Sequence, residues 1–297
     1  MMIPGKLIAV ANMKGGVGKT TTVVSLAEAL AADNPKASIL VVDLDPQASA
    51  SVCLAGNKLL AEMIKDGRTV DAFLEDRLLH HEATKLAPLI HKTVSGTTHA
   101  GNQLRIALLP CGPQLLVVER EIIYCRNKNL SMKAIEGQTW NLFKKEFVPL
   151  GKTYDYVIFD CPPGISPLSE VAIRLSDLVV VPTIPDFISV YGIAAFLKIL
   201  WFSPLGGLPR PKQLPHVLVN RFEGTKQHKE IVERLEAAAN IKVPEIRLLR
   251  TRVKKAAELA AALAKVDEAP TFKQKYGKVT DVLNQLVREL KEVLHAN

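Results

Sequence analysis

The run Asn12-Met13-Lys14-Gly15-Gly16-Val17-Gly18-Lys19-Thr20-Thr21 carries the residue types that hold a chain of phosphates. A short apolar stretch, residues 7–10, leads into it, and a segment with helical periodicity follows, where Val23, Leu26, Ala27 and Leu30 share one face of residues 20–32. The order is strand, glycine turn, helix start. Gly15, Gly16 and Gly18 let consecutive backbone N–H groups curl around an anion, with Val17 inside the turn, and the helix start adds partial positive charge. Lys19 supplies a point charge for β- and γ-phosphates, the Thr20 hydroxyl is a Mg²⁺ ligand by type, and Thr21 reaches the α-phosphate. Met13 stands where the ordinary phosphate loop has glycine, and a second lysine, Lys14, opens the loop instead. ATP with Mg²⁺ is the expected ligand pair.

A loop of this kind needs a sheet to aim it. Short β-branched runs at 7–10, 39–43, 105–109, 156–160, 178–181 and 217–220 alternate with helical stretches. They predict an α/β fold, a doubly wound, mostly parallel sheet flanked by helices. Most of these runs are apolar at consecutive positions, as strands covered on both faces must be. No repeat, low-complexity tract or linker divides residues 1–297, so a single domain is expected. Two segments fit the alternation poorly and are expected to be excursions from the sheet. Residues 55–103 are helical and then polar around Ser95-Gly96-Thr97-Thr98, a predicted mobile loop. Residues 124–150 set Arg126, Lys128, Lys133, Lys144 and Lys145 around Trp140 and Phe143. A Pro/Gly-rich loop at 203–215 leads into the last expected strand, 217–220.

Composition narrows the class. Of 297 residues 48% are hydrophobic and 23% charged, ordinary for a soluble globular chain. The longest uncharged stretch near the middle, 187–197, falls short of the ~20 apolar residues a membrane-spanning helix requires. The N-terminus shows no cleavage region, so a secretory signal is not expected and the cytoplasm is the expected compartment. Cys53, Cys111, Cys125 and Cys161 are scattered without metal or disulfide spacing and read as packing thiols. His80, His81 and His91 read as solvated, with no partner at ligand spacing. The net charge of +8 is uneven. Residues 1–200 hold 20 Lys+Arg and 19 Asp+Glu, whereas residues 201–297 hold 18 and 11. That asymmetry predicts a polyanion partner for the last third.

The octapeptide from Lys14 to Thr21 resembles the loop of the ParA/MinD family of deviant Walker ATPases. Val41-Val42-Asp43-Leu44-Asp45-Pro46-Gln47 is similar to the family's second motif, and Val157-Ile158-Phe159-Asp160-Cys161-Pro162-Pro163-Gly164 to its Walker B. Val180-Val181-Pro182-Thr183 and Val219-Asn220-Arg221 match later strands. The resemblance implies that Lys14 crosses a homodimer interface to the partner's nucleotide, that Asp45 orients the attacking water and that Asp160 holds the Mg²⁺ shell. It also implies that Asn220 reads the adenine edge beside Arg221. Asp43 is open between the Mg²⁺ shell and structural support.

Three kinds of switch compete. A DNA-binding, nucleoid-associated ParA-like ATPase would partition or position a cargo, with hydrolysis stimulated by a ParB-like or adaptor protein. It is favoured by Arg247, Arg250, Arg252, Lys254 and Lys255, five cations in nine residues without an acid, near the family's nonspecific DNA contacts. The alternative to a DNA patch there is a solvated helix start. A MinD-like ATPase would bind membrane through a C-terminal amphipathic helix. The apolar face at 279–295 (Val279, Val282, Leu283, Leu286, Val287, Leu290, Val293, Leu294) lacks aromatics and excess cations, so it is expected to close the core instead. An iron–sulfur relative is disfavoured because no cysteine pair has cluster spacing.

Overall fold

Strands that are apolar at every position must be buried on both faces, and the sheet is built accordingly. The computed structural model describes residues 5–127, 132–202, 208–241, 245–264 and 269–296, without the side chains of 125–127 and 132. Lys128 therefore lies outside the described residues, as do the side chains of Cys125 and Arg126. The strands are β1 (Lys6–Val10), β2 (Ile39–Asp43), β3 (Thr98–His99), β4 (Asn102–Gln103), β5 (Ile106–Leu109), β6 (Tyr156–Asp160), β7 (Leu178–Thr183), β8 (His216–Phe222) and β9 (Arg247–Lys254). Seven of them form one sheet in the order β5-β2-β6-β1-β7-β8-β9, every pairing parallel; β3 and β4 make a small separate hairpin.

The helices are α1 (Lys19–Asp33), α2 (Ser49–Lys65), α3 (Val70–Leu74), α4 (Leu115–Asn127), α5 (Met132–Phe147), α6 (Pro167–Leu175), α7 (Phe187–Leu197), α8 (Lys226–Ala239), α9 (Ala257–Ala262), α10 (Phe272–Tyr276) and α11 (Thr280–His295). Successive residues of each strand enter opposite cores. Ile8, Val10, Val41, Ile158 and Val180 meet α1, α2 and α11 on one face. Ala9, Val42, Phe159 and Val181 meet α3 through α8 on the other. The segments 55–103 and 124–150 contribute α3, α5 and most of α2 to these two layers.

The C-terminal helix is a core element. Leu283, Leu286, Val287, Leu290 and Leu294 of α11 are buried against α1 and the sheet, and Val282 and Val293 pack partly against the same cluster. Among the described residues no helix is long and apolar enough to cross a membrane.

Three expectations are corrected. The Ser95–Thr98 stretch is not a mobile loop. The hydroxyls of Ser95 and Thr97 donate to the Glu28 carboxylate of α1 at 2.9 and 2.8 Å. Lys275 Nζ reaches the same oxygen at 2.8 Å, and the Tyr276 hydroxyl donates to the other at 2.7 Å. A buried carboxylate is tolerable only with partners of this kind. Second, the last strand is not 217–220, because β9 follows it at the sheet edge. The cation cluster is this strand and not a helix start: Leu249, Thr251 and Val253 point inward while Arg250, Arg252 and Lys254 point out. Period-two alternation with charges outward is how an edge strand avoids pairing with other chains. Third, His91 is half-buried, in a β-bridge with Leu108.

Candidate nucleotide site

Four strand ends meet at one rim of the sheet. The phosphate loop leaves β1, Asp43 and Asp45 leave β2, Asp160 leaves β6, and Asn220 with Arg221 ends β8. In an open parallel sheet this C-terminal rim is where ligands bind. A cavity of about 730 Å³ lies there, lined by Gly15, Gly16, Gly18, Lys19, Thr20, Thr21, Asp45 and Asn220 among others.

The loop's shape depends on glycine at two positions. Gly16 has φ +73° and Gly18 φ +90°, the left-handed region that side chains disfavour. A Cβ on Gly18 would also come within 2.3 Å of Asn220 Nδ2, so β8 braces the loop from below. Asn220 donates to the Val17 carbonyl at 3.0 Å and accepts from the Arg221 amide at 2.9 Å. One amide hydrogen and one lone pair remain on it for a base edge. Arg221, with φ +53°, reaches the Gly16 carbonyl at 3.2 Å. Above Gly15 and Gly16 the space is open where a side chain would begin. The start of α1 has no side-chain cap and no acid in its first turn, so its first N–H groups are left free for an anion.

Charge is concentrated and poorly satisfied. Lys19 is buried, its Nζ donating to the Lys14 carbonyl at 3.1 Å. Burial lowers its pKa, against the raising pull of Asp160 and Asp45. Asp43 and Asp160 are paired residues at the ends of β2 and β6. Asp43 is fully engaged: one oxygen accepts from the Asp45 amide at 3.1 Å, the other from the Ser51 amide and hydroxyl at 2.8 and 2.7 Å. This favours the structural alternative for Asp43, a brace for the start of α2. Burial raises its pKa to about 6 despite those bonds. Both oxygens of Asp160 are buried without a hydrogen-bond partner among the described residues. Burial and the neighbouring Asp43 push its pKa well up, while Thr20 and Lys19 pull it down. A buried carboxylate left this way beside a threonine hydroxyl fits a hard cation, so Thr20 and Asp160 fit Mg²⁺. Asp45 is buried at the cavity wall, one oxygen accepting from the Gln47 amide at 3.0 Å. The thiol of Cys161 is buried and pushed up, as a packing residue's would be.

A family model described as an AAA domain matches residues 5–202. The chromosome-partitioning ATPase Soj of Thermus thermophilus is 31% identical over 219 residues, 73% of this chain and 70% of its own length. The chain belongs to the ParA/Soj family of P-loop ATPases. The chromosome partitioning protein ParA of Myxococcus xanthus is 30% identical over 191 residues, 64% of this chain, and the match spans only 56% of its length. Among solved structures, a Cyanothece McdA–ATP complex superposes with a TM-score of 0.69 at 20% identity, covering 98% of each chain. The pNOB8 ParA bound to nonspecific DNA gives 0.63 at 18% identity, covering 99% of each chain. At these identities the two structures establish the shared fold.

Against the ParA/Soj pattern, two placements are informative. Lys14 is held by its own chain: Nζ lies 2.9 Å from Asp186 Oδ2 and 3.0 Å from the Ser189 hydroxyl. Asp186 caps α7 through the Ser189 amide at 2.7 Å. Burial raises the Asp186 pKa, but the Ser189 amide and Lys14 hold it below the ordinary value overall. Sequence reasoning missed both residues, although an acid before an apolar helical run is a capping signal. The exposed Phe187, Ile188 and Tyr191 lie directly beyond this latch.

The basic cluster is divided by the fold. Lys254 and Lys255 line the nucleotide cavity together with Ala256, Ala257, Leu259 and Leu263. Arg250 pairs with Glu289 at 3.4 Å and Glu292 at 2.5 Å, Arg252 with Glu236, and Lys255 with Glu223 at 3.2 Å. Arg247 and Lys254 have no ion pair among the described residues.

Proposed function

We propose that this chain is an ATP-dependent dimerising switch that binds DNA without sequence preference and partitions or positions a cargo. The observation that carries the reading is the rim itself: an uncapped helix start with Lys19 and Thr20 lining a cavity of about 730 Å³, and the buried, unpartnered Asp160 behind Thr20. Such a site suits a nucleoside triphosphate with its cation.

Thr20 and Asp160 would hold the Mg²⁺ shell, and the ion, when bound, would offset negative charge on the phosphates. Lys19 compensates charge at the β- and γ-phosphates. Asp45 accepts from a water and directs its lone pair at the γ-phosphorus, so the P–O bond to the β-phosphate breaks as the new one forms. Asn220 presents its remaining donor and acceptor to the adenine. Lys14 leaves Asp186 to reach the nucleotide of a second copy, so that hydrolysis depends on dimerisation. Exposed Phe187, Ile188 and Tyr191, 53, 75 and 81% accessible, give that second copy an apolar surface beside Lys14. Two copies of a basic surface in one dimer raise avidity for DNA through effective concentration. A ParB-like or adaptor protein would accelerate turnover.

Light scattering and phosphate release test the proposal together. The parent is expected to dimerise with ATP and not with ADP. Lys19→Ala should lose nucleotide binding with the fold intact. Lys14→Ala should bind ATP yet stay monomeric, and Asp45→Ala should dimerise and persist. A monomeric Asp45→Ala protein at saturating ATP would overturn the switch.

A further inference from the structure

We propose that Asp76, His80 and Glu82, none of which lines the nucleotide cavity, form a binding site for a divalent transition-metal ion. One ligand atom from each lies within 4.8 Å of the others. Spacing alone does not reveal the cluster, since separations of four and two fit no regular element in which all three would converge. The backbone supplies the convergence. Residues Glu75–Leu79 form a π-helical turn, closed by the His80 amide donating to the Glu75 carbonyl at 3.1 Å. A π-turn is rare and widens the helix by a residue, which changes what faces what. His81 then takes φ +59°, a left-handed conformation uncommon for a side chain of that size, and turns the chain back on itself. The Glu82 amide thereby donates to the Asp76 carbonyl at 2.8 Å, bringing the third donor beside the first two.

The frame is fixed from beneath. Arg77 donates to the Thr84 carbonyl at 2.8 Å and pairs with Glu146 of α5 at 3.2 Å. The other Glu146 oxygen accepts from the Leu86 amide at 3.3 Å. The Thr84 hydroxyl donates to Asp76 Oδ2 at 2.7 Å, an outer-partner bond of the kind that orients a ligating carboxylate. Leu78 is buried in the core below.

The donor set selects the ion. One imidazole with two carboxylates suits Zn²⁺, Co²⁺, Ni²⁺ or Mn²⁺ better than Mg²⁺ or Ca²⁺, which favour oxygen alone. Ligand atoms around an ion at about 2.1 Å stand about 3–4 Å apart. Rotation of the exposed His80 and Glu82 side chains closes the set to that spacing, and solvent completes the coordination. The ion would pin the exposed end of the turn to the half-buried Asp76, and through Glu146 to α5.

Co²⁺ is the probe, because its visible spectrum reports its ligands. Full-length protein would be titrated with Co²⁺ in an excess of Mg²⁺, with bound metal counted after dialysis. Loss of an outer partner costs about 10–100-fold in metal affinity, and loss of a ligand should cost no less. The parent is expected to bind one Co²⁺ that His80→Ala loses and Glu82→Gln binds at least tenfold more weakly. Asp160→Asn, at the nucleotide rim, should bind it as the parent does. His80 and Glu82 are exposed, so circular dichroism should show both variants folded. Equal binding by parent and His80→Ala, no binding by the parent, or a thiolate charge-transfer band in the near ultraviolet would each overturn the site.

Discussion

The nucleotide rim and the β9 edge are both rich in charge, and they treat it in opposite ways. At the rim, among the described residues, buried Asp160 has no hydrogen-bond partner on either oxygen and Lys19 Nζ donates to the Lys14 carbonyl alone. At β9, Glu289 receives the Arg250 amide at 2.6 Å and the Thr251 amide and hydroxyl at 2.9 and 2.7 Å. Arg250 and Arg252 are matched by acids on α11 and α8. Unsatisfied charge marks where a ligand is to come, at a cost in stability, whereas satisfied charge marks where the fold is holding itself together. A cluster of one sign in sequence is therefore weak evidence for a binding surface until its partners are known.

The contrast is broken most forcefully at Asp160. Asp160→Asn should reduce MgATP turnover by about 100-fold or more, as loss of a preorganised charge does. The same change should stabilise the nucleotide-free protein, because it removes a buried negative charge that is disfavoured by burial and by the neighbouring Asp43 and Asp45. Urea unfolding with and without MgATP would read both. A variant less stable than the parent without nucleotide would make Asp160 a structural brace and collapse the distinction.

Glu289→Gln probes the other side. Burial raises the Glu289 pKa, but amide and hydroxyl donors from Arg250 and Thr251 bring it below the ordinary value. A carboxylate whose folded pKa is depressed stabilises the fold above its unfolded pKa, about 4.3, and that contribution is lost as pH falls through the folded value. Glu289→Gln should thus cost about 1–3 kcal/mol at neutral pH. The gap between variant and parent should close on acidification below the ordinary glutamate range. A gap independent of pH would mean that packing, and not the ionised carboxylate, holds α11 to β9.

The same contrast explains what was legible in the sequence. The rim was readable because a ligand imposes local spacing: Lys14 to Thr21 are contiguous, and Asp43, Asp45 and Asp160 end apolar runs. The alternating apolar and helical segments likewise gave six of the seven strands of the main sheet. The seventh was missed because β9 has a single core-facing side, so its cations interrupted the apolar run that marked the others. Its acid partners lie 16 to 42 residues away along the chain. Distance also hid the role of Ser95 and Thr97, whose polarity suggested solvent but whose partner, Glu28, is 67 and 69 residues distant. The Lys14–Asp186 contact spans 172 residues.

That last contact allows a smaller test. Asp186→Asn keeps an α7 cap but removes the charge that holds Lys14. The pair is about a third exposed, so its worth is on the order of 1 kcal/mol at most. If Lys14 must leave Asp186 for a dimer to form, Asp186→Asn should lower the ATP concentration for half-maximal dimerisation by about two- to fivefold. An unchanged or raised midpoint would show that the contact does not oppose dimerisation.

The smallest expected effect separates the cations of β9 from one another. Each phosphate neutralised adds about −0.9 to the slope of log K against log salt for duplex DNA. Arg250 and Arg252 already face carboxylates, so little of their charge is available to an incoming phosphate. Arg247 is exposed and has no ion pair among the described residues. Lys254 is a poor probe, because it also lines the nucleotide cavity and its replacement would disturb ATP binding. In the ATP state, Arg247→Ala should therefore make the salt slope of random-sequence duplex binding shallower by about one unit per bound copy. Arg250→Ala should leave the slope nearly unchanged while weakening the attachment of α11. Fluorescence anisotropy across a salt series, with ATP and with ADP, would measure both variants. Equal losses at Arg247 and Arg250 would mean that DNA displaces the acids of α11 and α8, and that the matched edge is itself the binding surface.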